Sequence, residues 1–235
     1  MRENEPVERR TAHTLPTSPA PDADRKTIGN FRTADAEERR SFRRAMLIGL
    51  FVWPAFHFLD QYLGRVVYPG APMLLFFCFR VIGELAIFGM YALSFRENVA
   101  SVTLKIANVG VCGLAAIFIS IMGVSFGGLT SPYIHGVAIV ILVLALAVPA
   151  PWLDTIGYVA ACALSYPCVV VASAQFRPAL AHSLADPQEL ALFSAHYLIL
   201  LGSAIVATVG SQVTWNARQE LRRARRLGRY RLEAR

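Results

Sequence analysis

The sequence predicts an all-α polytopic membrane protein, and three observations predict it. Apolar residues make up 55% of the 235, and they fall in blocks of about twenty, the length a helix needs to cross a bilayer. The blocks are apolar all round instead of striped, which suits lipid or a bundle interior. Charge is kept to the flanks: 10 Lys+Arg against 8 Asp+Glu in residues 1–44, 8 against 2 from Trp215 onward, and 5 against 6 in between. A closed barrel also satisfies backbone polar groups in hydrocarbon, but its strands are short and alternating, unlike these blocks.

Residues 1–44 are polar, with "LPTSPAPDAD" at their centre. Pro, Ser, Ala and Asp without periodicity bury too little surface to offset ordering entropy, so a disordered cytoplasmic tail is expected. "ADAEERRSFRR" can begin a short helix whose arginines sit at the headgroups. The first apolar block starts only near Ala45 and is too long for a cleavable signal peptide. Six spanning helices follow, over 45–63, 71–95, 105–126, 131–150, 153–174 and 189–214. Together, residues 45–214 form the transmembrane domain. Residues 215–235 form a basic cytoplasmic connector helix that runs into the first residues of an effector domain.

Orientation follows from the short loops. Arg39, Arg40, Arg43 and Arg44 precede the first span, Arg96 and Lys105 flank the second loop, and eight arginines follow the sixth span. Only Arg65 and Arg177 fall on the other side. The positive-inside rule therefore places both termini in the cytoplasm, in keeping with an even number of spans. The same flanks explain the basic pI through anionic lipid; no nucleic-acid-binding module is legible, and nucleic acid is not expected as a partner.

Within the spans, Pro54 and Pro167 each remove a backbone donor and predict bends. Ser203, Ala207 and Ser211 recur every four residues, as do Gly123 and Gly127, marking close helix approach within one chain or between two. Cys78, Cys112, Cys162 and Cys168 all lie in apolar blocks and read as buried small hydrophobes. Tyr68 and Tyr133, in the external turns "VVYPGAP" and "GLTSPYIHG", suit the headgroup region as anchors.

Four ionisable residues stand inside the first two spans: His57 and Asp60, then Arg80 and Glu84. The spacings of three and four put each pair on one helical face. Charges in hydrocarbon are costly and are paired or face a cavity. Arg80 lies roughly 13 Å into the second span at 1.5 Å per residue, within reach of Asp60. The cluster reads as an ion-pair network locking the two helices together, or as a ligand- or proton-sensing site. His57, His135 and His196 share a depth but lack ligand spacing on any one helix, and no metal or other cofactor is expected. No nucleophile elbow, phosphate loop or metal-binding helix motif occurs, and Ser165 and Ser173 have no base beside them. Catalysis is not legible in these residues.

Two stretches carry a resemblance. "GRYRLEAR" is similar to the first strand of bacterial Hanks-type Ser/Thr protein kinases through Gly228, Arg229, Tyr230 and Leu232, and its alternating pattern suits a strand. The glycine loop, strand lysine and catalytic loop of that family are absent. Across about residues 45–226, "FHFLDQYLGRVVYPGAP", "FRVIGE" and "SPYIHGVAIVILVLALAVPAPW" resemble the six-helix membrane module that precedes bacterial signalling domains. That resemblance rests on Asp60 and the following Tyr-Pro turn, on Arg80, and on Ser131-Pro132-Tyr133; it does not extend to His57 or Glu84.

What the resemblance implies is an anchor and sensory input domain of a signalling kinase of Ser/Thr type, in the bacterial inner membrane, with a cytoplasmic effector domain at its C-terminal side. A histidine kinase or nucleotide cyclase as effector is the nearest alternative. A small transporter or integral membrane enzyme using the Asp60–Arg80–Glu84 cluster is a different one, weakened by the lack of a repeat between the two halves. Ala217, Leu221, Ala224 and Gly228 form a short heptad seam compatible with a parallel homodimer.

Overall fold

The computed structural model describes the backbone from Pro21 to Glu233 and side chains within residues 39–224. The chain divides into two units between Glu37 and Glu38. Among the described residues there are seven α-helices, one short 3₁₀ turn and no strand. The helices are α1 (Pro21–Val66), α2 (Met73–Leu93), α3 (Ser101–Ser125), α4 (Ile134–Ala147), α5 (Trp152–Ala174), α6 (Pro178–Ala185) and α7 (Pro187–Glu233), with the turn at Gly128–Thr130 between α3 and α4. Six stretches are long and apolar enough to cross a membrane: Arg39–Val66, Met73–Leu93, Val102–Ser125, Gly128–Ala145, Trp152–Ala174 and Pro187–Ala224. Each overlaps one of the six blocks read from the sequence.

Two expectations need correction. In the tail, residues 21–33 are helical within α1, continuous with the 34–44 stretch read as the start of a helix; the first 20 residues lie outside those described. Nucleation is the costly step of helix formation, so Ala-, Glu- and Arg-rich sequence can propagate from an apolar helix already formed. The strand expected at Leu227 onward is likewise helical up to Glu233. A strand leaves its N–H and C=O groups unmet without a partner edge, whereas a continuing helix meets its own. Ala234 and Arg235 lie outside the described residues. Between the fifth and sixth spans "PALAHSLA" forms the separate helix α6, with Pro178 in its first turn, where a missing N–H costs nothing. Asp186 then ends α6 and accepts the Gln188 N–H at 2.8 Å, opening α7.

Interactions at the turns define two ends. The Arg39 guanidinium donates to the carbonyl oxygens of Arg96 (2.9 Å) and Val99, Arg43 lies over the Phe95 ring, and Arg218 donates to the Ser41 hydroxyl at 3.0 Å. The start of the first apolar stretch, the α2–α3 turn and the far part of α7 therefore share one end, which carries the basic residues Arg39, Arg43, Arg96 and Arg218. At the other end, the Tyr166 hydroxyl donates to the Gly128 carbonyl at 2.8 Å, and Tyr68 covers Gly127, whose φ of +99° an L side chain rarely adopts.

The core is built on α3, α4, α5 and α7. α3 packs along α5 and α4 along α7 as the two longest seams. Of the row Ser203, Ala207 and Ser211, the last two are buried on α7 beside Leu200 and Ala204 and serve packing inside this chain, while Ser203 is only partly buried. Gly123 admits the Tyr166 ring, and a Cβ there would stand 2.8 Å from a ring carbon. The short α4–α5 turn is fastened to α7: the Ala150 N–H donates to the Ser211 hydroxyl at 3.1 Å, and Thr155 lies 3.1 Å from the same oxygen. Both helical prolines sit within unbroken helices. Cys112 and Cys162 are buried as expected; Cys78 and Cys168 instead face outward, and all four are free thiols.

Candidate functional site

Asp60 lies six residues before the end of α1, and Arg80 seven residues after the start of α2. At 1.5 Å per residue both sit about 10 Å from the turn that joins these antiparallel helices. They meet there. Arg80 Nε donates to Asp60 Oδ2 at 2.7 Å and Nη2 to Oδ1 at 2.9 Å, a bidentate pair in which Asp60 is fully buried and Arg80 5% exposed. Tyr133, just before α4, donates its hydroxyl to Asp60 Oδ1.

Trp53 completes the arrangement. Its indole N–H donates to the backbone carbonyl of Arg80 at 2.8 Å, and its ring lies 4.5 Å from the guanidinium carbon. Phe56 stacks at 5.7 Å. Gly83 makes room for Trp53: a Cβ there would fall 2.6 Å from the indole nitrogen. The guanidinium thus has a carboxylate on its edge and aromatic rings against its face, the setting in which arginine tolerates burial. Breaking such a pair by removing one partner leaves a lone buried charge, at a cost of about 3–5 kcal/mol.

The structure brings two of the four predicted site residues together and leaves two apart. His57 stacks edge-on against Phe77, and its Nε2 lies 3.3 Å from the Gln61 amide nitrogen. Its Nδ1 is buried without a partner. Glu84 is partly buried and has one partnerless carboxylate oxygen, Oε2. Neither joins the Asp60–Arg80 pair. His135 and His196 do meet, with ring centroids 5.2 Å apart on α4 and α7. Among the described residues no group of three or more His, Cys, Asp and Glu is disposed to hold a metal ion.

Two contributors escaped the sequence reading. Tyr133 is no headgroup anchor: it is 6% exposed and hydrogen-bonded to a buried carboxylate. Trp53 gave no signal at all, because its role depends on Gly83 of another helix. One clue to Tyr133 existed, since Asp60, Arg80 and Ser131-Pro132-Tyr133 are the residues on which the resemblance rested. Of these, Tyr133 joins Asp60 and Arg80 in one hydrogen-bonded cluster.

Beside this cluster runs a cavity of about 430 Å³ between α1, α2, α3 and α4. Arg80, Trp53 and Tyr133 form part of its wall, and nearly all the rest is aliphatic or aromatic. Comparison of the chain with protein-family models, curated proteins and solved structures finds no match.

Proposed function

We propose that this chain is the membrane anchor and sensory input domain of a bacterial signalling kinase, of Ser/Thr type, lying in the inner membrane with both ends cytoplasmic. The observation that carries the reading is α7. It is one continuous helix from Pro187 to Glu233, apolar where it packs on α4 and α5 and basic beyond Trp215. Such a rod, about 70 Å long at 1.5 Å per residue, can carry a rotation or shift of the bundle to whatever follows it. Its connector residues Ala217, Leu221 and Ala224 are exposed, leaving their seam open to a second copy. The asymmetry of arginine between the two ends supports the orientation.

Two measurements test this. Cysteines introduced at Ser41 and at Glu220 should be shielded from a membrane-impermeant thiol reagent in intact cells; labelling of either from outside overturns the orientation. For the input role, the chain is fused to a Ser/Thr kinase domain, and one to seven residues are inserted after Glu220. Each residue turns the helix by about 100°, so kinase output should oscillate with insertion length and recover near four and seven. Output indifferent to insertion length contradicts transmission through α7.

A further inference from the structure

We propose that a second cavity, at the arginine-bearing end of the bundle, holds one anionic phospholipid, with its phosphate against Arg39 and Lys105 and an ester carbonyl on Asn108. The inference goes beyond the input-domain reading. It rests on the orientation given there only for which leaflet supplies the lipid; the binding itself does not.

Charge selects the sign of the occupant. The cavity, about 490 Å³, is walled by α1, α3, the α4–α5 turn, α5 and Trp215 of α7, and shares no lining residue with the one beside Asp60 and Arg80. Its charged lining is Arg39, Lys105 and Asp154, an excess of one positive charge. Arg39 and Lys105 are only partly buried, so a ligand in the cavity can reach both. The hydrogen bonds of Arg39 go to the carbonyl oxygens of Arg96 and Val99, which fix the guanidinium in place without neutralising it. An anion supplies the missing charge, and a cation would be repelled.

Depth selects a phospholipid. Asn108 follows Lys105 by three residues on α3, on the same face and about 4.5 Å further into the membrane. It lines the cavity and is 5% exposed. Its amide oxygen faces the Cys112 thiol at 3.8 Å, while its amide nitrogen has no partner among the described residues and is not sealed from the cavity. A buried amide donor calls for an acceptor. Most of the remaining lining is apolar, and Ile106 and Leu153 are 68% and 65% exposed, so the cavity opens to lipid. Cations, then a neutral donor one turn deeper, then an apolar wall match in order the phosphate, ester and acyl chain of a phospholipid. A free anion would leave Asn108 and the apolar wall unused. An acidic segment of another protein would set its polar backbone against that wall.

Native mass spectrometry of the full chain in detergent tests this, with titration by dioleoyl phosphatidylglycerol or dioleoyl phosphatidylcholine. One phosphatidylglycerol should bind ahead of all others, at least about fivefold tighter than phosphatidylcholine, the effect of one charge near a membrane surface. Lys105→Gln should abolish that preference. Asp154→Asn removes the opposing charge and should raise it about fivefold, a gain that misfolding cannot mimic. Arg40→Gln removes a cation next to Arg39 but outside the lining, and should change nothing. Asn108→Leu should weaken both lipids equally and leave their ether-linked analogues unaffected. Gly157→Phe fills the cavity from a position where an added Cβ meets nothing within 4 Å, keeps every charge, and should remove the tight lipid. Unchanged binding in Gly157→Phe, or a loss in Arg40→Gln equal to that in Lys105→Gln, would mean that the basic end attracts lipid without a site, and overturns the inference. So does a preference unmoved by Asp154→Asn, or full displacement of the lipid by glycerol phosphate. Labelling of a cysteine at Ser41 from outside the cell, with lipid binding as expected, would contradict only the orientation.

Discussion

α1 and α7 are the two longest helices, yet they are held by different means. α7 lies against α4 along a row of small residues, Ala204, Ala207 and Ser211, with close backbone approach. α1 makes no comparable backbone seam with any other helix among the described residues. It is kept at a distance by Trp53 and Phe56 and tied by polar contacts: Asp60 to Arg80 and Tyr133, Trp53 to the Arg80 carbonyl, Arg39 to the α2–α3 turn. In hydrocarbon there is little hydrophobic gain from helix association, so packing and hydrogen bonds must do the holding. The α7 side uses the first and the α1 side the second. The α1 side carries a cavity of about 430 Å³ with the buried Asp60–Arg80 pair at its edge.

The sharpest way to break this contrast is Asp60→Asn. It strands a charged Arg80 in the bundle and should cost about 3–5 kcal/mol, read as a fall in unfolding free energy in a denaturing-detergent titration. Tyr133→Phe keeps the ion pair but removes one hydroxyl from the carboxylate. A hydrogen bond to a charged group contributes about 1.5–3 kcal/mol, and a loss in that range is expected from the same titration.

Both effects were only half legible beforehand. The six apolar blocks announced themselves because bilayer thickness fixes their length, and a lone Asp60 and Arg80 in such blocks had to find partners. Tyr133 and Trp53 were not legible, because what they touch is set by how α1, α2 and α4 come together and not by any local pattern. His57 and Glu84 misled for the complementary reason. Sharing a helical face with Asp60 or Arg80 allows a contact without requiring one, and bidentate geometry had already used the carboxylate. The helical stretches over residues 21–33 and 228–233 were missed because composition reports what a segment does alone, not what a neighbouring helix propagates into it.

On the packed side the expected changes are steric and smaller. Gly123→Ala pushes a methyl into the Tyr166 ring at 2.8 Å and should cost about 1–3 kcal/mol as overpacking, while Gly202→Ala, with open space around it, should be near neutral. Ser211→Ala removes the hydroxyl that holds Ala150 and Thr155 to α7. Hydrogen bonds between membrane helices average about 0.6 kcal/mol, so its loss should be barely resolved by the same titration. A Ser211 effect as large as that of Asp60 would erase the distinction between the two sides.

The central claim is that α1 is held by Asp60 and Arg80 acting on each other. A double-mutant cycle of Asp60→Asn and Arg80→Gln, measured as unfolding free energy in mixed micelles, tests it most directly. The account predicts that the double variant is more stable than Asp60→Asn alone, with a coupling of about 2 kcal/mol or more. Additive losses, with coupling near zero, would mean that the two side chains do not meet, and would contradict it.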